Sequence, residues 1–267
     1  VAAKGEVVEV KPNAIALPQD VMAQLREEAK AAAAQERPAV SKASLRSGII
    51  TINGQSMQSV ECVILFAAHI RMFYSSAFDS DNIRNPDCFS IGGSEEEMDN
   101  GPHENAFAPP AESCATCPKN AWKSDVRSDG KVGKGKACKE RRRLVLLSSQ
   151  ALGKVDDVKS AELVLMDIPV TSSKNYGNFV NVVNATVGVP PWAVISNIST
   201  KPNPKTQFQV DFTPLRVPND PAIIAALRER VPQAREIALT PYDETSPGNA
   251  ALSEEQRKRE QAAGKKF

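Results

Sequence analysis

Residues 113–125 read SCATCPKNAWKSD, and residues 133–147 read GKGKACKERRRLVLL. How their cysteines are read decides what fold surrounds them. Cys114 and Cys117 stand three apart in one tight turn, Pro118 follows, and Cys138 returns beyond a lysine-rich loop. Structural zinc takes four thiolate or imidazole ligands, usually two of them from one such turn. A fourth ligand then has to come from Cys88 (in NPDCFSIGG), from His103 or from Cys62. The other readings are a redox pair, though no βαβ unit surrounds the CxxC, and plain unpaired thiols.

The surroundings favour a metal. Residues 75–140 are rich in Gly, Pro, Ser, Asn and charge, and they hold four of the five cysteines. A structureless loop of that length inside a domain needs something other than a hydrophobic core to order it. A structural zinc contributes on the order of 10 kcal/mol or more to folding, which suffices. Cys62 lies within the apolar run QSVECVILFAAHIRMFY and is expected to be a core thiol. His69, in the same run, reads as a packing residue.

On either side of this segment the pattern is mainly β. Ile49–Ile52 leads into Asn53-Gly54, the strongest short hairpin signal, and Gln58–Tyr74 continues as a long strand or two. Arg143–Leu147, Glu162–Ile168 and Trp192–Ser199 read as further strands. Phe208, Val210 and Phe212 alternate with polar residues in the period of a half-buried strand. Helices are expected at Leu17–Arg37, at Thr171–Val187 with Thr171 or Ser172 as cap, and at Pro221–Glu236 with Pro232 interrupting it. The expectation is five or six mostly antiparallel strands forming a small barrel or sandwich with helices. Residues 1–16 read as a loose lead-in, 17–242 as one domain carrying the insertion at about 75–140, and 243–267 as a disordered tail.

Composition narrows the function. The 267 residues carry a net charge of +1, which conceals strong local polarity. Lys119, Lys123, Arg127, Lys131, Lys134, Lys136, Lys139, Arg141, Arg142 and Arg143 face only Asp125, Asp129 and Glu140 within their stretch, whereas residues 93–113 carry six acids and no lysine or arginine. Bases held by a metal knuckle suit a polyanion, because phosphate neutralisation supplies most non-specific nucleic-acid affinity. Trp122, with Phe73, Tyr74 and Phe89, supplies rings on which unpaired bases can stack. Trp192 and the Phe208/Phe212 pair are expected in the core. No stretch is apolar enough for a secretory signal or a bilayer span, so a cytoplasmic protein making no membrane contact is expected.

Enzyme readings fare poorly. A zinc deaminase needs His-x-Glu followed by Pro-Cys-x-x-Cys; here Glu104 directly follows His103, and Ser113 precedes Cys114. Two histidines in the whole chain leave little for a hydrolytic metal site, and phosphodiester chemistry needs clustered carboxylates in an ordered pocket. A non-enzymatic binding protein is expected.

The run PDCFS, then CATCPKNAWKSD, then GKGKACKERRRLVLL, followed by a strand–helix–PPWAVIS–strand module, resembles zinc-containing single-stranded DNA-binding proteins of tailed bacteriophages. The resemblance covers roughly Leu17–Val217. It implies an OB-type barrel with a zinc-binding insertion, zinc on Cys88, Cys114, Cys117 and Cys138, and a role in phage DNA replication or recombination with other phage replication proteins as partners. It ranks Cys88 above His103 as the fourth ligand. One departure is Trp122-Lys123-Ser124, where a glycine often follows the aromatic, which puts the loop conformation in doubt. The alternative is a zinc-containing interaction or transcription-regulatory factor docking on a polymerase. The tail ends GKKF with its charges balanced, so it is not expected to compete with DNA for a basic groove; partner docking is its alternative role.

Overall fold

A computed structural model describes residues 40–75, 85–126 and 130–242, together with Val21, Gln24, Leu25 and Glu28, which are helical. The expected lead-in, the rest of the 17–37 helix, Arg127 and the tail from residue 243 lie outside the described residues.

The apolar run containing Cys62 becomes one 15-residue strand, β4 (Ser59–Phe73), the axis of a single sheet. A strand covered on both faces reads as continuous apolar sequence rather than as alternation. Before it come β1 (Ser41–Arg46), β2 (Ile49–Ile52) and β3 (Gln55–Met57); after it come β5 (Cys88–Gly92), β6 (Lys139–Ser148), β7 (Leu163–Ile168), β8 (Ile195–Asn203) and β9 (Gln207–Arg216). Among residues 40–242, the described helices are α1 (Glu95–Asp99), α2 (Val155–Ser160), α3 (Val170–Thr186) and α4 (Pro221–Leu239). The order across the sheet is β3-β2-β1-β7-β6-β4-β8-β9, with β5 also on β4, and the sheet curls into a half-barrel. The mainly β architecture with helices is as expected. Among the described residues the strand number is nine rather than five or six, and β1 pairs parallel to β7.

Local chemistry sets the turns. Asn53 and Gly54 both take positive φ, 50° and 77°, between Ile52 and its partner Gln55. That is the two-residue hairpin turn whose twist matches its strands. Ser47 and Gly48 do the same between β1 and β2.

β4 separates two cores. On one face Cys62, Ile64, Leu144, Leu146, Met166 and Ile168 pack beneath Phe179 and Val183 of α3. On the other Val63, Leu65, Val145 and Leu147 pack against Val158 of α2 and Ile223, Leu227 and Ala234 of α4. Cys62 is thus a core thiol, its pKa pushed up by burial to about 12.

Several expectations are corrected. Helix α3 starts at Val170 after Pro169, without a side-chain cap, while Ser172 Oγ accepts from Val210 N at 2.9 Å and so ties the helix to β9. Trp192 sits on a single 3-10 turn, Pro191–Ala193, ahead of β8. Pro232 does not end α4, which runs on to Leu239 because buried residues on both sides of it hold the helix to the sheet. Residues 75–140 are not coreless. Ile70, Met72 and Phe89 form a third cluster with Ala106 and Tyr242, and Met98 of α1 is fully buried. Among the described residues, no helix is long and apolar enough to cross a membrane.

Candidate functional site

The cysteine-bearing segments meet where β4 ends. β5 is antiparallel to the end of β4 with Cys88 opposite Phe73, which places Cys88 beside the strand that carries Arg71. The CxxC turn is closed by a 3-10 turn, Pro118–Asn120. Asn120 is its pivot: its backbone N–H donates to Cys117 O (3.0 Å), its side-chain amide donates to Cys114 O (2.9 Å), and its Oδ1 accepts from Lys136 Nζ (3.1 Å). Cys138 N–H then donates to Lys119 O at 2.8 Å, which brings the third cysteine segment alongside the first two.

Cys88, Cys114, Cys117 and Cys138 consequently line one small cavity of about 10 Å³, walled also by Arg71, Phe73 and Lys119. His103 does not line it: its ring stacks on Phe89 at 5.0 Å, and its Nδ1 accepts from Asn105 N–H. Burial, then repulsion from Cys114, Cys138 and Cys117, pushes the Cys88 thiol up to about 12. Burial, then repulsion from Cys114 and Cys117, pushes Cys138 up to about 11. Burial likewise raises Cys114, against an opposing hydrogen bond from Ser90 and the charge of Arg71. Burial and mutual repulsion thus favour the protonated Cys88, Cys114 and Cys138 thiols unless a cation joins them. A soft divalent ion has that chemistry, since thiolates are its preferred ligands and deprotonation accompanies binding. The sulfurs are spread more widely than in a loaded centre: among the described residues, His69, Glu95 and Glu140 form the ligand-type group with donor atoms within 4.8 Å of one another.

Arg71 is buried and paired with Asp99, and its Nε lies 3.9 Å from Glu140. Burial alone would weaken its charge, but the Asp99 hydrogen bond and the nearby carboxylates reverse that and raise its pKa.

The basic loop hangs from this node. Lys139 Nζ pairs with Asp125 at 2.9 Å, Gly133 N–H donates to Asp125 O, and Ser124 Oγ donates to Lys119 O at 2.8 Å. Val126 and Val132 add an isolated bridge. At the tip Trp122 is 74% exposed, with Lys136 Nζ 5.5 Å from its ring centre. Lys123, Lys131 and Lys134 are exposed, and Lys119 holds its ammonium 5.2 Å over the half-buried Phe73 ring. Tyr74 is 39% exposed at the end of β4.

Other expected contact residues are placed elsewhere. Phe89 is 2% exposed, between His103 and Tyr242, and has no free face for a base. Arg143 is buried; it pairs with Asp167 at 3.1 Å and donates to the carbonyls of Ala238 and Thr240 behind α4. Lys139 is taken by Asp125. Strand alternation explains the arginines: in β6, Arg141 and Arg143 face the Tyr242 side while Arg142 faces the α3 side, so the three do not form one basic patch.

Sequence reasoning missed Arg71, whose burial within an apolar strand was the available signal. It also missed the cluster of His69, Glu95 and Glu140, which depends on sheet register. Comparison with family models, with curated proteins and with solved structures found no match to this chain.

Proposed function

We propose that this chain is a sequence-tolerant, non-enzymatic single-stranded DNA-binding protein whose basic loop is held by one zinc ion on Cys88, Cys114, Cys117 and Cys138. The convergence of these cysteines on one cavity, beneath a loop bearing an exposed tryptophan and several lysines, carries the proposal. Zinc with four thiolates bears two negative charges in excess, and Arg71 and Lys119 at the cavity wall answer them. The ion supplies a fixed node, and the protein's own groups do the binding. Lys119, Lys123, Lys131, Lys134 and Lys136 neutralise phosphates while Trp122 stacks on a base. In the finer fold reading, the half-barrel is an OB-type core with the cysteine segment inserted between β4 and β6. Its setting is phage DNA replication or recombination in the host cytoplasm, on the strength of the resemblance carried by PDCFS, CATCPKNAWKSD and GKGKACKERRRLVLL.

Metal analysis of the purified protein tests the node. The expected result is about one zinc per chain, lost in Cys117→Ser together with new protease cleavage between residues 85 and 138. Metal-free protein with the same protease resistance as the variant contradicts it.

A further inference from the structure

A groove of about 450 Å³ opens on the α3 side of the sheet, apart from the cysteine cavity. It exists because the sheet has a gap. β8 pairs with β4 as far as Val63, and β5 pairs from His69 onward, so among the described residues Ile64–Ala68 has β6 on one side and no strand on the other. β4 is bulged at the same place, between Ile64 and Phe66. Tyr176 and Gly177 of α3 and Trp192 of the 3-10 turn wall this gap.

Arg142, the cross-strand neighbour of His69, lines the groove as well. Its Nη1 is closed off from solvent and has no hydrogen-bond partner among the described residues, which is costly for a guanidinium. Burial lowers its pKa, and no carboxylate acts to raise it. Glu95 and Glu140 cluster around His69, yet neither lines the groove. Gly177 sits inside a 17-residue helix, where glycine costs about 1 kcal/mol relative to alanine. A Cβ there would meet nothing within 4 Å, so the missing side chain keeps the groove open rather than relieving a clash.

We propose that this groove binds one nucleotide, its phosphate on the Arg142 guanidinium and its base against Trp192. A planar guanidinium matches phosphate geometry, the volume suits a nucleotide, and an indole face offers stacking of any base. The single-strand reading above bears only on the source of that nucleotide, as one unit of a bound strand.

The chain has two tryptophans, so each site can be watched alone. In Trp122→Phe the emission is that of Trp192; in Trp192→Phe it is that of Trp122. Each protein is titrated with oligodeoxythymidine and with thymidine monophosphate. Saturable quenching of Trp192 is expected with the oligonucleotide, and quenching by the mononucleotide alone would make free nucleotide the ligand. Gly177→Leu, which fills the groove and should not lower the melting temperature, and Arg142→Gln should each weaken the Trp192 response about tenfold, the size of one charge-assisted contact. A silent Trp192, or a response that survives either substitution, overturns the groove proposal whatever Trp122 does. A silent Trp122 beside a responsive Trp192 leaves the groove standing and removes the strand-binding loop.

Discussion

Lys123 adopts φ 68°, a backbone conformation that costs a residue with a side chain roughly 1–2 kcal/mol. It stands at the position after the exposed tryptophan where the resembled group often carries glycine. A glycine there would take the same backbone conformation without that cost. Lys123→Gly is expected to raise stability by up to about 1 kcal/mol and to flatten the salt dependence of DNA binding by about 0.7 in slope, one phosphate contact. Trp122→Ala should weaken single-strand binding by about 1–3 kcal/mol at fixed salt, as measured by fluorescence anisotropy. Arg143 gives the opposite pairing of effects. Arg143→Met removes hydrogen bonds to Asp167, Ala238 and Thr240, and should cost about 1–3 kcal/mol in urea denaturation. Its DNA affinity should stay within twofold of the wild-type value; a large loss would mean that Arg143 leaves α4 to meet phosphate.

Among the elements, β4 does most to organise the molecule, since it pairs with β5, β6 and β8 and carries both cores. Ile64→Ala is expected to destabilise the protein by about 2–5 kcal/mol, lowering the urea midpoint without changing zinc content per folded chain. This strand was legible in its apolar run, the β2–β3 hairpin in Asn53-Gly54, and β9 in the alternation of Phe208, Val210 and Phe212. β1 was not, because SKASLR offers few apolar residues, and its parallel partner β7 is about 120 residues away, beyond any local pattern. β5 is five residues long inside a segment dominated by turn formers, so it carries too little pattern of its own. The basic stretch was legible as charge but not as geometry. KERRR is the start of β6, and alternation along that strand divides Arg142 from Arg141 and Arg143.

At the scale of the whole molecule, spacing joined Cys114, Cys117 and Cys138 and left the fourth place open between Cys88, His103 and Cys62, with only the resemblance favouring Cys88, the residue that the fold brings to the cavity. The convergence rests on the β4–β5 register, on Asn120 and on the Cys138–Lys119 backbone bond, none of which has a sequence signature. Arg71, the buried counter-charge beside the cavity, and the sheet gap that makes the α3-side groove emerge only once strands pair. Removal of zinc by a chelator is expected to open residues 85–138 to protease while the two main cores, which use no cysteine ligand, keep their protection from hydrogen exchange. The central claim is that the zinc node builds a single-strand-binding surface. Its most direct test is the affinity for a labelled oligodeoxythymidine, measured across salt concentrations with zinc-loaded and metal-stripped protein. Loaded protein should bind with a slope of log K against log salt of roughly −3.5, for about five phosphates, and stripped protein should lose most of that affinity and regain it on adding zinc. Binding that is equally tight with and without the metal, or no binding to the strand at low salt, would contradict the account.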